Sequence, residues 1–404
     1  MVSFTYVGGL LSRASWLMSI KETSIANQET YLDNTIQAIS QLQNWYNEDT
    51  GLWDTTGWWN SANCLTVLAD FAVLGVDSGL NIAAIIQNTY EQAQKTVVTA
   101  QKTISAAGLP VSSYTRVTKR DGLQKRGFDN FLNDYYDDEG WWALAMIRSH
   151  DLGVQGLGDQ QYLQAAVEIF EDMKAGNSSC GGIYWSKVTK YTNAIANELY
   201  LSVAASLANR MTNKEYYLDI AVNQWNWFKN SGMINSNNLI NDGLDDSCKN
   251  NGQNTWTCKT DREPSLKLRR LIQTDNQGVI LGGLVELYKA TNDAGLLLEA
   301  QTIATAAMNT LQRNGTLYEG CEPNCGADGA QFKGVFMRNL RYLQDVAPLP
   351  TFKAFLMHNA DSIWANDRNG TQLGVAWTGP YTTADAGSQS SAIDALSAAM
   401  AVAS

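Results

Sequence analysis

Apolar residues recur at every third or fourth position in twelve segments of the chain, near 28–47, 58–75, 81–103, 136–152, 160–175, 191–209, 213–231, 276–290, 294–313, 329–345, 350–366 and 384–402. That period predicts helices, and no strand ladder is expected between them. The segments alternate in character. Odd-numbered ones, such as the one containing Tyr31, carry a single apolar stripe and a polar back, as a helix wetted on one side does. Even-numbered ones, such as 194–205 and 278–284, are rich in Ala, Gly, Ser and Leu, which permits close packing on more than one side. Outer and inner helices therefore alternate. Six such pairs predict an all-α fold, an (α/α)6 barrel in which each hairpin buries its face by stacking on its neighbours. An open solenoid shares the pattern. Closure is favoured because polar and aromatic clusters sit where inner helices begin: 58–63, Asp137 and Asp138, 193–198, Asn276 and Gln277, 333–339, and 385–389. In a toroid those ends share one face.

Residues 1–25 fit no amphipathic pattern and are set apart as a leader, which leaves 26–404 as one domain. The connections 104–133 and 232–275 exceed about 15 residues, a length that in a compact domain is usually functional, and both are expected on the face that carries the clusters.

The composition is globular, at 45% hydrophobic and 17% charged. No apolar run approaches the ~20 residues that span a bilayer. A net charge of -11 argues against nucleic acid, because phosphate-rich partners select Lys and Arg surfaces. Of six cysteines, Cys321 and Cys325 are close enough for a small loop disulfide, which implies an oxidising compartment. Zinc is not expected, since the next nearest pair, Cys248 and Cys258, is farther apart and only His150 and His358 could complete a ligand set. Sequons at Asn177, Asn314 and Asn369 agree with secretion, although Val2 to Leu11 makes a poor signal peptide.

Candidate chemistry concentrates between Asn133 and Trp142, where four carboxylates and four large rings share ten residues. Carboxylates seek water and rings seek contact area, so interleaving them sets two demands against each other. A sugar site makes both demands at once: ring faces for pyranose C–H faces, and paired carboxyls for acid/base and nucleophilic work. The bland alternative is that Asp137, Asp138 and Glu139 complement the helix dipole while Trp141 and Trp142 are core.

Several blocks together resemble glycoside hydrolase family 76, the six-hairpin α-1,6-mannanases, and its fungal members in particular: Gly51 to Asn63, Asn133 to Trp142, Cys180 to Trp185, Lys190 to Leu199, and Asn276 to Gly278. The resemblance implies an (α/α)6 glycosidase acting on α-1,6-mannan, with Asp137 as nucleophile and Asp138 as acid/base. Adjacent residues at a helix start point about 100° apart, so two such carboxyls can flank one small volume at the ~5 Å spacing of a retaining enzyme. Asn63, Asn133, Asn193, Asn197, Asn276 and Gln277 are candidates to bridge sugar hydroxyls, or else ordinary helix caps. Trp58, Trp59, Trp142, Trp185 and Tyr135 are candidate stacking platforms, or core; Tyr136 is a candidate substrate-binding residue that also helps to bury Asp138. Glu198 is a candidate sugar ligand, partner base or salt bridge, and Lys333 a partner for an acid across the face. No cofactor or metal is expected, and the expected partner is a polysaccharide or oligosaccharide met by a secreted monomer. The alternatives are a transglycosylase, in which a sugar hydroxyl replaces water, and a non-catalytic mannan-binding toroid. Epimerisation would call on histidine, for which only His150 lies near the acids.

One segment departs from its surroundings. Residues 258–275 are abruptly basic inside an acidic chain, and family members run from a Trp-Thr through a Tyr to Asn-Gln-Gly. Codons for Cys258-Lys259-Thr260 can contain the usual start of an intron, and those for Thr274-Asp275 its end, so this interval is expected to be translated intron. Cys258 would then vanish, leaving Cys248 to pair with Cys180 and Cys64 as a buried thiol. Sequencing of transcripts across codons 258–275 is expected to return the shorter join; only the longer form would refute the reading.

Overall fold

Small residues let the inner helices approach closely enough to form a ring. The computed structural model describes residues 28–76, 79–96, 98–104, 110–116, 130–153, 159–252 and 274–403. Outer α1 (28–43) leads to inner α2 (Trp58–Val73), and outer α3 (Ile82–Ala93) to inner α4 (Tyr136–Asp151). The pairs α5 (Asp159–Lys174) and α6 (Ala194–Ala208), and α7 (Lys214–Asn230) and α8 (Thr274–Thr291), continue the alternation. After α9 (Ala294–Thr310) comes a single turn, α10 (Gly326–Gly329), before inner α11 (Phe332–Val346); α12 (Pro350–Asn366) and α13 (Ala386–Val402) complete the sixth pair. Inner helices pack on one another in chain order, and α13 returns onto α2. The ring is closed.

Burial separates the two layers. Every residue of α13 except Ala401 is buried, whereas α7 buries only Tyr217, Ala221, Gln224, Trp225 and Phe228, one helical stripe. At the tightest crossings there is no room for a side chain. A Cβ on Gly278 of α8 would lie 2.7 Å from the Phe336 backbone of α11, and one on Gly334 would lie 2.5 Å from Ser391 of α13.

Each outer helix is followed by a hairpin. Those after α1, α9 and α12 pair β1 (Tyr46–Asn47) with β2 (Leu52–Trp53), β5 (Gln312–Arg313) with β6 (Thr316–Leu317), and β7 (Arg368–Asn369) with β8 (Gln372–Leu373). Single bridges, Asn177 to Ile183 and Ile234 to Ile240, stand at the same point after α5 and α7. After α3 the hairpin is longer, β3 (Val98–Ile104) against β4 (Pro110–Arg116). Side-chain amides pin the hairpins to the ring, satisfying buried peptide groups as a neighbouring strand would. Asn197 accepts from the Ile183 N–H at 2.8 Å and donates to its carbonyl at 2.9 Å. Gln277 does the same for Ile240 at 2.8 and 3.0 Å. Gln389 spans Leu373 N–H and Thr371 O.

These hairpins correct the sequence expectation. The helix expected over 81–103 stops at Ala93, and from Val98 onward the chain is strand β3. Thr96 to Thr99 is a β-branched run that loses side-chain freedom in a helix and suits a pleated surface. The first and ninth helices likewise end early, at 43 and Thr310. The leader 1–25 and residues 258–273 lie outside the described residues; Thr274 and Asp275 belong to α8. Disulfides join Cys180 to Cys248 and Cys321 to Cys325, and Cys64 is a buried free thiol.

Toward the C-terminal ends of the inner helices the ring is tied by ion pairs. Asp70 of α2 meets Arg148 of α4 and Arg341 of α11, and accepts a hydrogen bond from Tyr342. Arg210 bridges Asp151 and Glu286 at 2.6 and 2.8 Å, and Arg338 meets Asp394 at 3.1 Å. Burial would raise the Asp70 carboxyl, but Arg148, Arg341 and Arg338 outweigh it and hold the group below its usual range. Asp70→Ala strands buried guanidinium groups and is expected to cost about 3–5 kcal/mol, read from urea unfolding.

Candidate active site

The first turn of α4 presents three acids in succession, where the helix dipole favours negative charge. The 100° step sends each to a different environment. Glu139 turns to Lys187 at 2.7 Å and to the Asn133 N–H at 2.8 Å, a framework contact. Asp137, 7% exposed, accepts from Trp185 Nε1 at 2.8 Å and through its other oxygen from the Asp138 N–H at 3.0 Å. Asp138 is fully buried and accepts from Asn133 Nδ2 at 2.7 Å and from the Tyr114 hydroxyl at 3.1 Å.

Lys102 joins the two aspartates. Its Nζ lies 2.9 Å from Asp137 Oδ2 and 2.6 Å from Asp138 Oδ1. Those oxygens can therefore be no farther apart than the sum of the two distances, within the ~5–5.5 Å reach of a retaining pair and short of the ~6.5–9.5 Å that inversion needs. Burial pushes the Asp138 carboxyl up, Lys102 opposes and Asp137 adds, so that it stands at about 6. Burial works against the Lys102 charge, but Asp137, Asp138 and Asp328 more than restore it. Burial and the Asp138 charge keep the Tyr114 phenol protonated, hence a donor.

Lys102, Ser112 and Tyr114 escaped the sequence reading because 81–103 read as helix. In the β3–β4 register Lys102 faces Ser112 and Ala100 faces Tyr114, so strand alternation turns all of them to one face, toward the barrel. Ser112 donates to Asp328 of α10 at 2.7 Å, and Trp59 Nε1 donates to the same carboxyl at 2.9 Å. The β-branched run before Lys102, with Gly108 and Pro110 between two such stretches, was the available hairpin signal. Asp242 was also missed. It is buried, hydrogen-bonded by Tyr191, and pushed up to about 6 by burial, with Asp137 contributing.

The other sequence candidates divide by position. Trp185 and Tyr135 meet at 4.7 Å beside the aspartates, and the Lys102 ammonium lies 4.7 Å from the Tyr135 ring. Trp59 stacks on Trp141 at 5.4 Å. Trp58 and Trp142 pack together at 5.6 Å as core, with Phe131 against Trp142, and Tyr136 is buried under Lys187. Asn133 is committed to holding Asp138, its carbonyl taking the Tyr135 N–H. Asn193 caps α6, and the amides of Asn197 and Gln277 are spent on hairpin backbone. Asn63 lies inside the ring against Arg338 at 2.6 Å, away from the face. Lys333 is buried between Glu322 and the Val375 carbonyl, each at 2.6 Å, an ion pair behind the face. Among the described residues Glu198 makes no ion pair and both its oxygens are buried without a hydrogen-bond partner; burial, with Asp275 and Asp242 adding, holds it well above the usual range. Asn276 is buried at the start of α8.

A closed ring of six helical hairpins with two adjacent carboxyls at its rim is the setting in which the comparisons fall. The model of glycosyl hydrolase family 76 matches residues 24–404. The chain belongs to that family. Among curated relatives, a putative mannan endo-1,6-alpha-mannosidase of Schizosaccharomyces pombe is 26% identical over 294 residues, 66% of this chain and 62% of that protein. The mannan endo-1,6-alpha-mannosidase DFG5 of Saccharomyces cerevisiae is 26% identical over 52% of this chain and 46% of its own length. The chain thus spans less than two thirds of either. Family 76 structures share the fold: an inactive variant of the GH76A alpha-1,6-mannanase of Salegentibacter with two consecutive aspartates replaced by asparagine, in complex with alpha-1,6-mannotriose, aligns over 92% of this chain and 99% of its own at TM-score 0.68 and 22% identity. Dfg5 from Chaetomium thermophilum, in complex with glucosamine, aligns over 92% and 90% at TM-score 0.68 and 17% identity.

Asn133→Ala removes a donor to the charged form of Asp138 and is expected to raise its titration from about 6 by roughly one to two pH units, the equivalent of a charge-assisted hydrogen bond. Carboxyl 13C resonances followed against pH check this.

Proposed function

We propose that this family 76 chain is a retaining glycoside hydrolase that cleaves α-1,6-linked mannan internally, with Asp137 as nucleophile and Asp138 as acid/base. The observation that carries the reading is the pair itself, two adjacent carboxyls within one ammonium's reach, one 7% exposed and aligned by Trp185, the other buried at about 6. Asp137 attacks the anomeric carbon while Asp138 protonates the departing glycosidic oxygen; water deprotonated by Asp138 then releases the sugar. The curated relatives named for mannan endo-1,6-alpha-mannosidase activity, and the mannotriose complex made with a double aspartate substitution, support both substrate and residues. Trp185 and Tyr135 beside the pair supply ring faces for a pyranose. Secretion is supported by two disulfides and by exposed sequon asparagines, Asn177, Asn314 and Asn369.

Incubation with linear α-1,6-mannan is expected to give shorter oligosaccharides whose first-formed anomer, seen by NMR, keeps the α configuration. Asp138→Asn should lower turnover on the order of 10²–10⁴-fold, and Asp137→Asn should abolish the covalent route. Because the acid must be protonated, kcat/KM should fall about tenfold per pH unit above about 6. Inversion, or full activity in Asp137→Asn, would overturn the assignment.

A further inference from the structure

The donors around the two aspartates are of two kinds. Asp137 Oδ1 is held by the Asp138 N–H and Asp138 Oδ2 by Asn133 and Tyr114. Trp185 takes one position on Asp137 Oδ2. All of these leave a carboxyl oxygen of each residue open, and Lys102 fills both openings with one atom. The glycosidase reading needs the same two openings. The anomeric carbon must stand about 3–3.5 Å from the nucleophile oxygen, and the glycosidic oxygen must be within hydrogen-bond reach of the acid. An ammonium at 2.9 and 2.6 Å from those oxygens excludes both.

We propose that Lys102 is a positioning residue that clamps Asp137 and Asp138 until the substrate displaces it, so that sugar binding itself releases the nucleophile and hands Asp138 its proton. This rests on the mannanase reading above. With the ammonium gone, Asp138 keeps its burial and the neighbouring Asp137 charge but loses its nearest cation, and it takes up one proton from solvent. Among the described residues, the other ionisable groups facing the pair are Tyr114 from the hairpin, Tyr135 just before α4, Asp328 from α10 and Asp242 from the segment before α8. None of them is a cation. Asp328 offers the displaced ammonium a partner: it already feels the Lys102 charge, and it binds Ser112, the residue directly across the hairpin from Lys102. A turn of the side chain keeps the lysine paired while the site opens. Tyr114, held by Asp138 on the neighbouring strand, keeps the hairpin in place as this happens.

The test is Lys102→Met in the full chain. Without substrate, the Asp138 carboxyl, identified in 13C spectra by its loss in Asp138→Asn, should titrate above its wild-type position. With α-1,6-mannotriose or a longer linear oligosaccharide, KM should fall on the order of tenfold, as expected when one charge-assisted contact no longer has to be broken. The alkaline limb of kcat/KM, which reports the free enzyme, should move up with the titration, whereas that of kcat, which reports the complex, should stay where it is in the wild type. Lys102→Arg, the variant to use if Lys102→Met does not fold, should leave the Asp138 titration in place and raise KM, because the bulkier fork is harder to displace. A higher KM in Lys102→Met, or a shifted kcat profile, would mean that Lys102 stays and binds the sugar. Unmoved limbs with only a lower Tm would mean a structural role, and either result overturns the proposal. A wild type that turns over no α-1,6-mannoside removes the mannanase reading and the proposal together; turnover with an unmoved KM removes the proposal alone.

Discussion

Closure of the inner ring is the constraint on which everything else depends. Once α13 packs on α2, the inner helices have neighbours on all sides, and their polar groups can meet water only at the two openings. Helix polarity makes the openings unlike. One gathers helix N-termini, whose free N–H groups and positive ends favour carboxylates. Toward the other, arginines of α4, α11 and the end of α6 meet acids of α2, α4, α8 and α13 in pairs that tie the ring across its seam. The acids assigned to chemistry thus gather at one end of the ring, while the acids that tie inner helix to inner helix lie toward the other.

The first turn of α4 shows how finely that sorting works. Asp137, Asp138 and Glu139 are consecutive and chemically alike, yet one faces the opening, one is buried against an amide and a phenol, and one is fixed to Lys187. Their difference comes from the angular step of the helix and from what each direction contains. Two carboxyls held close with unequal burial are driven toward unequal protonation, which is what a nucleophile and an acid require of each other.

Periodicity made the ring legible, because a helix buried on all sides and a helix wetted on one side differ in composition. The acid and ring stretch was legible because its density had no easy structural account. The amides were harder. Asn197 and Gln277 carry the donor and acceptor that a sugar hydroxyl pair would want, but a peptide group wants the same two, and the hairpin backbone lies closer. Sequence alone does not distinguish those partners. Asn63 was placed on the face by counting from the helix start, yet it sits one turn too deep and meets Arg338. Lys102 was invisible for a different reason: once 81–103 is taken as helix, the strand alternation that aims Lys102 and Tyr114 inward no longer exists.

That last failure bears on where specificity resides in such a ring. Five outer-to-inner connections begin with a short hairpin or a single bridge, and three are pinned by an amide from an inner helix. They are framework. The connection after α3 has a seven-residue ladder instead, and its side chains reach the aspartates and Asp328. The ring places the carboxyls, which any chain with the same inner helices would do. The lengthened hairpin then adds the cation that bridges the two carboxyls and the phenol that donates to Asp138, so the surroundings of the pair are set jointly by the most buried part of the fold and by a two-stranded excursion from it.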